Sequence, residues 1–424
     1  MKNQKYSLKT SIIYIALFIL LIVTVIFTIT KFKQKAERQP HSEKSVTKNI
    51  DILRSLPYVD TVDIDPDQQS GVILYKKDKA CTGYNLYTIR ALSTAELIDM
   101  EGNVINSWKY SPSKHWSNIE LLPNGDLLAV GVHQPSDKNE KIRLQITLKD
   151  RYLLRFDWKG ELLWKKTIPA HHDVELSWDG NILLLSMNRK IIPEIHPEIE
   201  VQDNQIVSLD QKGNIIESKS LYEIIKTADD IFPFQHVKPH KKGFVDVFHS
   251  NSIEKMYHQH LTDIHPIYNL DNILISIRNQ DRIAIINWPE KKVIWAWGQN
   301  IISGQHDATL LENGHVLLFD NGLGRKASRV IELNPLTKQI VWQYQADNPT
   351  DFYTGSRGSA HRLPNGNTLI AESDKGQAFE VTPEGEIVWK FLSPPKRKKG
   401  KRETIIRMKR YPLQLINEII ENHN

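Results

Sequence analysis

The stretch LENGHVLLFD (311–320) carries the pattern that decides the fold: a tight turn at Asn313-Gly314 followed by an apolar strand. The same figure recurs as LLPNGDLLAV (121–130), SWDGNILLLS (177–186) and LPNGNTLIAE (363–372), and more weakly as NLDNILISI (269–277). Asn-Gly and Asp-Gly supply the positive φ that tight hairpins need. A second figure alternates with the first: strand, turn, and a strand ending in Trp or an apolar residue. It reads LIDMEGNVINSW (97–108), LRFDWKGELLW (154–164), VSLDQKGNIIES (207–218), AIINWPEKKVIW (284–295), VIELNPLTKQIVW (330–342) and FEVTPEGEIVW (379–389). Two hairpins per unit of roughly 50 residues make about four antiparallel strands, one blade of a β-propeller. Six copies of the second figure predict an all-β chain with about six blades over 67–395.

Outside the repeat, 11–30 (SIIYIALFILLIVTVIFTIT) is free of charge and flanked by Lys2, Lys5 and Lys9 before it and Lys31, Lys33, Lys35 and Arg38 after it. A helix of about 20 residues spans a bilayer's hydrocarbon core. No small-residue cleavage site follows, so residues 1–10 are read as a short tail and 11–30 as an uncleaved transmembrane helix. Charges on its two sides nearly balance, so they set no orientation. The polar segment 31–66 reads as a stalk. Residues 396–424 read as a basic segment and a C-terminal helix over about Thr404–Ile420, interrupted by Pro412.

The net charge of +5 is concentrated beside the anchor and in Lys396–Arg402, which argues against a nucleic-acid partner. One cysteine, Cys81, excludes an intramolecular disulfide and a cysteine zinc site. His258, His260 and His265 crowd together at no recognised ligand spacing, so neither metal nor cofactor is expected. A homodimer is compatible with the sequence.

Aligning the blades on the turn glycine exposes candidate chemistry. In HHDVELSWDG, His172 stands eight residues before Gly180, with Asp173 next; in QHDATLLENG, His306 stands eight before Gly314, with Asp307 next. Ser117 and Gly358 hold the equivalent place in the first and last recognisable blades. The histidine is therefore not demanded by the fold. Strand alternation turns only one of His171 and His172 inward. Two further candidates lie between these blades: the polar run His249-Ser250-Asn251-Ser252 beside a strand-like FVDVF, and Arg278, a cation closing the apolar strand ILISI. Arginine suits tetrahedral oxyanions, and a histidine can attack such a group while neighbouring cations stabilise the developing charge. His361 is out of register with the pair and reads as a rim residue.

The ordered strings HHD (171–173), HSNSI (249–253), ISIRNQ (275–280), QHDATLLENGHVLLFDNGLGR (305–325) and DFYTGSRGSAHRLPNGNTLI (351–370) resemble the bacterial arylsulfotransferase family over roughly residues 70–395. The resemblance implies a six-bladed propeller that moves a sulfuryl group from a phenolic sulfate ester to a phenol without a nucleotide donor, in a ping-pong reaction through a sulfated histidine. It implies His306 as the nucleophile, His249 and Arg278 as binders of the sulfate, and His172 as a contact to the phenolic oxygen or sulfate. Asn251, Arg325 and Asp307 become candidate substrate-binding residues, with Asn251 also able to brace His249. It implies an extracytoplasmic propeller. The chain departs from the family pattern in an insert, EKMYHQHLTDIHP (254–266), between His249 and Arg278, and in having little room for an N-terminal β-domain and no cysteine pair.

Two other functions fit parts of the sequence. A non-catalytic, membrane-anchored scaffold fits the anchor and stalk but leaves the ordered histidines unexplained. A quinoprotein dehydrogenase would use the Trp that recurs at blade ends (Trp108, Trp164, Trp295, Trp342, Trp389), but such enzymes have more blades.

Overall fold

A computed structural model describes residues 61–63, 69–133, 147–240, 243–395 and 400–423. The expected membrane helix at 11–30 and most of the expected stalk lie outside the described residues. Among the described residues no helix is long and apolar enough to cross a membrane.

Six antiparallel sheets form the six blades of a β-propeller. From the innermost strand outward, blade one is Ile405–Tyr411, Tyr84–Ile89, Thr94–Ile98 and Val104–Lys109; blade two is Ser113–Leu121, Leu127–His133, Arg151–Phe156 and Leu162–Lys166. Blade three is Ala170–Leu176, Ile182–Ile192, His196–Leu209 and Ile215–Ser220; blade four is Ser250–Lys255, Asn272–Ile277, Arg282–Asn287 and Lys292–Trp297. Blade five is His306–Leu310, Val316–Asp320, Arg329–Asn334 and Gln339–Tyr344; blade six is Ser359–Arg362, Thr368–Glu372, Gln377–Val381 and Ile387–Leu392.

Burial explains the two sequence figures. The second strand of each blade is sandwiched between neighbouring blades, so both faces are apolar; Val316–Asp320 is buried at every residue. The outermost strand has one wet face, and Gln339–Tyr344 alternates exposed and half-buried residues. The hairpin glycines Gly125, Gly180, Gly314 and Gly366 take φ of +80 to +89°, a region that costs other residues a steric penalty.

Four of the five recurrent tryptophans fasten one blade to the next. The indole N–H of Trp108 donates to Asp157 O at 2.9 Å, that of Trp295 to Pro335 O at 3.0 Å, that of Trp342 to Pro383 O at 2.8 Å, and that of Trp389 to Met100 O at 3.0 Å. Each acceptor lies in the turn between the third and fourth strands of the following blade, Trp389 of blade six reaching blade one. Blade packing therefore accounts for these four positions.

The ring closes through both ends of the chain. Gly71–Tyr75 adds a fifth, outer strand to blade six by pairing with Ile387–Leu392. Ile405–Tyr411 pairs with Tyr84–Ile89 as the innermost strand of blade one. This corrects the expected boundary at 395 and the expected helix from Thr404. The run IIRMKRY is strand because Ile405, Met408 and Tyr411 fill the seams beside blade one, and the helix begins only after Pro412, at Leu413–His423. That helix buries Ile416 and Ile419 against Trp116, Leu121 and Tyr152. The end of the expected stalk is also structured, Thr61–Asp63 pairing with Lys401–Glu403.

Candidate active site

In each blade the innermost strand starts at one mouth of the central channel, called upper here, and turns back at the other. The residues singled out from the sequence divide between these two ends.

His306 opens the innermost strand of blade five and is 5% exposed. Its Nδ1 lies 2.9 Å from Gly304 O and 2.8 Å from Asn321 Oδ1. Both are acceptors, so the proton sits on Nδ1 and Nε2 keeps its lone pair. Among the described residues the hydrogen bond to Nε2 is a long one, 3.3 Å, from the Arg357 backbone N–H. Burial, and then the nearby Arg278 guanidinium, push the imidazole well below its ordinary range, so the ring is neutral at physiological pH.

Arg278 follows the strand Asn272–Ile277 of blade four and is 2% exposed. Its Nη1 donates to Asn279 Oδ1 at 3.0 Å, and Asn279 is itself tied to Asp246 O at 2.6 Å. The insert 254–266 does not disturb this placement. It extends the hairpin at the lower end of blade four, where Leu261 and Tyr268 pack on blade five and Tyr268 Oη donates to Gly314 O at 2.9 Å. At the upper end Ser250 still pairs with Ile277, which keeps His249 beside Arg278.

His249 stands just before the innermost strand of blade four at φ +49°. The segment FVDVF is not part of a strand: Phe244 and Val245 make only isolated bridges. Asp246 accepts a hydrogen bond from His249 Nδ1 and orients the ring. Burial works against the Asp246 charge, but His249 beside it holds the carboxyl below its usual range. Asn251 does not brace His249. It donates to Gln305 O at 2.7 Å, which steadies the approach to His306, and its Oδ1 is buried with no hydrogen-bond partner among the described residues.

His172 stacks edge-on to His249, ring centroids 4.8 Å apart. Burial first, then His249, His171 and His306, push its imidazole well down. His171 lies behind it, with Nδ1 2.7 Å from His172 Nδ1 and Nε2 3.0 Å from Ser186 O. Asn204 Nδ2 also lies 3.2 Å from His171 Nε2, so a carbonyl acceptor and an amide donor both meet that nitrogen. His171 is buried while His172 is half-buried and meets the His249 ring, so His172, not His171, is the outward-reaching member of the pair.

The Asp of each His-Asp pair is a fastener. Asp173 Oδ2 accepts from Ile253 N, Ser252 Oγ from Ala308 N, and Asp307 Oδ2 from Ala360 N, each at 2.9 Å. These equivalent bonds weld the innermost strands of blades three to six. Arg407, from the C-terminal strand, crosses the channel and pairs with both Asp173 and Asp307. Asp307 was expected at the substrate; here both of its oxygens are held by protein. Arg325, also expected there, pairs with Asp320 at 2.8 Å with its side chain 42% exposed. Gly358, in blade six at the place of His172 and His306, has φ +104°, and a Cβ there would fall 2.7 Å from the Phe319 ring.

Below the Arg407 bridge lies a cavity of about 1310 Å³ whose lining includes Glu120, Glu175, Glu254, His361 and Lys409 but none of His172, His249, His306 and Arg278. Burial raises the Glu254 carboxyl to about 8 and moves Glu175 well above the usual range. His361 is a wall of this lower chamber, not a rim residue: its Nδ1 accepts from Arg410 N at 3.2 Å.

The upper set thus brings together His172, His249, Arg278, His306 and Asn251. Sequence reasoning weighed His171 against His172 and missed Asp246, Asn321 and Arg407. Asp246 was visible three residues before His249 in FVDVFHS, and Asn321 directly follows the quoted strand LENGHVLLFD; Arg407 had no local signal.

The chain is similar to several solved structures at low identity. A protein of unknown function from Bacteroides caccae matches at 14% identity, covering 77% of this chain and 98% of that one, with a TM-score of 0.47. A streptogramin B lyase matches at 12%, covering 83% and 97%, with a TM-score of 0.44. A catalytically inactive virginiamycin B lyase from Staphylococcus aureus, solved with quinupristin, matches at 10%, covering 78% and 88%, with a TM-score of 0.41. Likeness this distant carries no function. A search of curated proteins finds no match. The family model for arylsulfotransferase (ASST) matches residues 151–393, more than half of the chain, and takes in every histidine of the upper set. The chain belongs to the arylsulfotransferase family.

Proposed function

We propose that this protein transfers a sulfuryl group from a phenolic sulfate ester to a phenolic acceptor, in two steps through a sulfohistidine at His306. The observation that carries the reading is a buried histidine kept neutral, with its Nδ1 proton engaged and its Nε2 lone pair beside a buried arginine. In the first step Nε2 attacks sulfur, the Nε2–S bond forms, and the S–O bond to the aryl group breaks. The electron pair leaves on the phenolate oxygen. In the second step the acceptor oxygen attacks sulfur, its proton is lost, and the Nε2–S pair returns to His306.

Arg278 and His249 bind the sulfuryl oxygens, where negative charge must be balanced. His172, kept neutral by burial and packed edge-on to His249, takes the acceptor's phenolic proton. Asn251 Oδ1 offers a second acceptor to a phenolic O–H. Residues 11–30 anchor the chain in a membrane and the propeller works on the extracytoplasmic side. Protease accessibility in whole cells tests that side.

Intact-mass measurement after mixing with an aryl sulfate tests the chemistry. One added sulfuryl group that disappears on adding phenol is expected, and His306→Ala removes it. An adduct that persists in His306→Ala, or release of free phenol at full rate without acceptor, defeats the reading.

A further inference from the structure

This inference rests on the sulfohistidine reading and deepens it. We propose that Asn321 is a positioning residue for sulfuryl transfer: with Gly304 O, its side-chain oxygen holds the His306 proton on Nδ1 through both steps, so that Nε2 serves first as nucleophile and then as leaving group.

The geometry leaves Asn321 one orientation. Its Nδ2 donates to Thr354 O at 2.9 Å and to Arg357 O at 2.7 Å. Both are carbonyls, so a flipped amide would set oxygen against two oxygens. Oδ1 is therefore directed at His306 Nδ1, 2.8 Å away. The loop is locked in turn by Ser328, whose Oγ donates to Asn321 O at 3.0 Å. Asn321 is fully buried, so water does not compete for these bonds.

The chemistry explains why an amide suits this place. Attack by Nε2 leaves a ring bearing sulfur on Nε2 and a proton on Nδ1, an imidazolium. Breaking the Nε2–S bond then expels neutral imidazole, whose conjugate acid has an ordinary pKa near 6.5. If the Nδ1 proton were lost, the departing group would be an imidazolide anion, a far poorer leaving group. An amide oxygen accepts the Nδ1–H without removing it. A carboxylate would add negative charge, favour the imidazolium before reaction and deplete the nucleophile. The charged and titratable groups around His306 are Arg278 and His249 from blade four, His172 from blade three and Arg357 from the entry to blade six. Asp307, next in the chain, is spent on Ala360 N and Arg407.

Three measurements test the proposal. Long-range proton–nitrogen correlation NMR on the wild-type chain should show His306 as the Nδ1–H tautomer; an Nε2–H tautomer overturns the proposal without any variant. Asn321→Ala should lower kcat by about 10–100-fold with KM for the aryl sulfate within about threefold, and should populate the Nε2–H form. Asn321→Asp should move the acid limb of kcat/KM upward by about one pH unit or more. Variants that fold, with unchanged tautomer, kcat and pH profile, overturn it. His306→Ala is run in parallel: its loss of the adduct while Asn321 variants behave as wild type removes only this inference, and its retention of the adduct removes the sulfohistidine reading as well.

Discussion

The two ends of the channel are built from the same dipeptide and do opposite things with it. At the upper end His172 and His306 present neutral rings beside His249 and Arg278. One residue on, Asp173 and Asp307 turn to the lower side, bind the backbone of the next blade and hold Arg407 across the channel. Among the described residues His306 Nε2 meets only a long backbone contact, whereas both aspartates are bound through both oxygens. Buried polar groups that are fully partnered stabilise architecture, and those with a free lone pair beside a fixed charge are equipped for chemistry.

The largest expected separation of the two ends is in turnover. His306→Ala should lower transfer by roughly a thousandfold or more, with circular dichroism and melting temperature close to wild type. A folded His306→Ala enzyme with near-normal transfer would dissolve the distinction at its centre. Arg278→Ala should cost about 10²–10³-fold in kcat. It should also raise the His306 pKa, since after burial the Arg278 charge is the largest influence holding it down; the acid limb of the rate profile then moves to higher pH.

Arg407→Met should act on stability instead. It leaves Asp173 and Asp307 buried without their cation, a loss of about 3 kcal/mol in chemical denaturation, while kcat per folded molecule stays within a few-fold. A collapse of kcat in folded Arg407→Met would show that the bridge also shapes the upper site.

The smallest effect is also the finest test, because the ends respond to pH with opposite sign. Glu254 has its folded pKa raised from 4.5 to about 8. Its contribution is therefore full below pH 4.5 and is lost as pH rises through about 8. His171 is pushed by burial from 6.5 to about 3, so its contribution is full above pH 6.5 and is lost as pH falls toward 3. Glu254→Gln should gain on the order of 1 kcal/mol over wild type at pH 8 and little at pH 4.5. An equal gain at both values would mean that Glu254 is not the titrating group.

Much of this was legible in the sequence, for identifiable reasons. Turn glycines and apolar strands obey local rules, so LENGHVLLFD and its copies reveal the blade, and the count of the second figure matches the six sheets. The C-terminal strand was misread because IIRMKRY has no turn partner beside it. Its partner, Tyr84–Ile89, lies more than 300 residues earlier, and no local pattern records a pairing that closes a ring. The repeat register located His172 and His306 for the same local reason, but it could not separate the Asp from the His.

The sequence by itself determined the propeller, its blade number and the type and order of the residues available for chemistry, because hairpins and strand periodicity are written in neighbouring residues. Only the tertiary structure decided which residues meet. It turned His306 and Asp307 to opposite ends of the channel. It set Asn321 against the His306 ring and Asp246 against His249. It carried Arg407 from the end of the chain to bridge blades three and five. Those meetings depend on bulged innermost strands and on ring closure, whose distances are set by packing between blades and not by spacing along the chain.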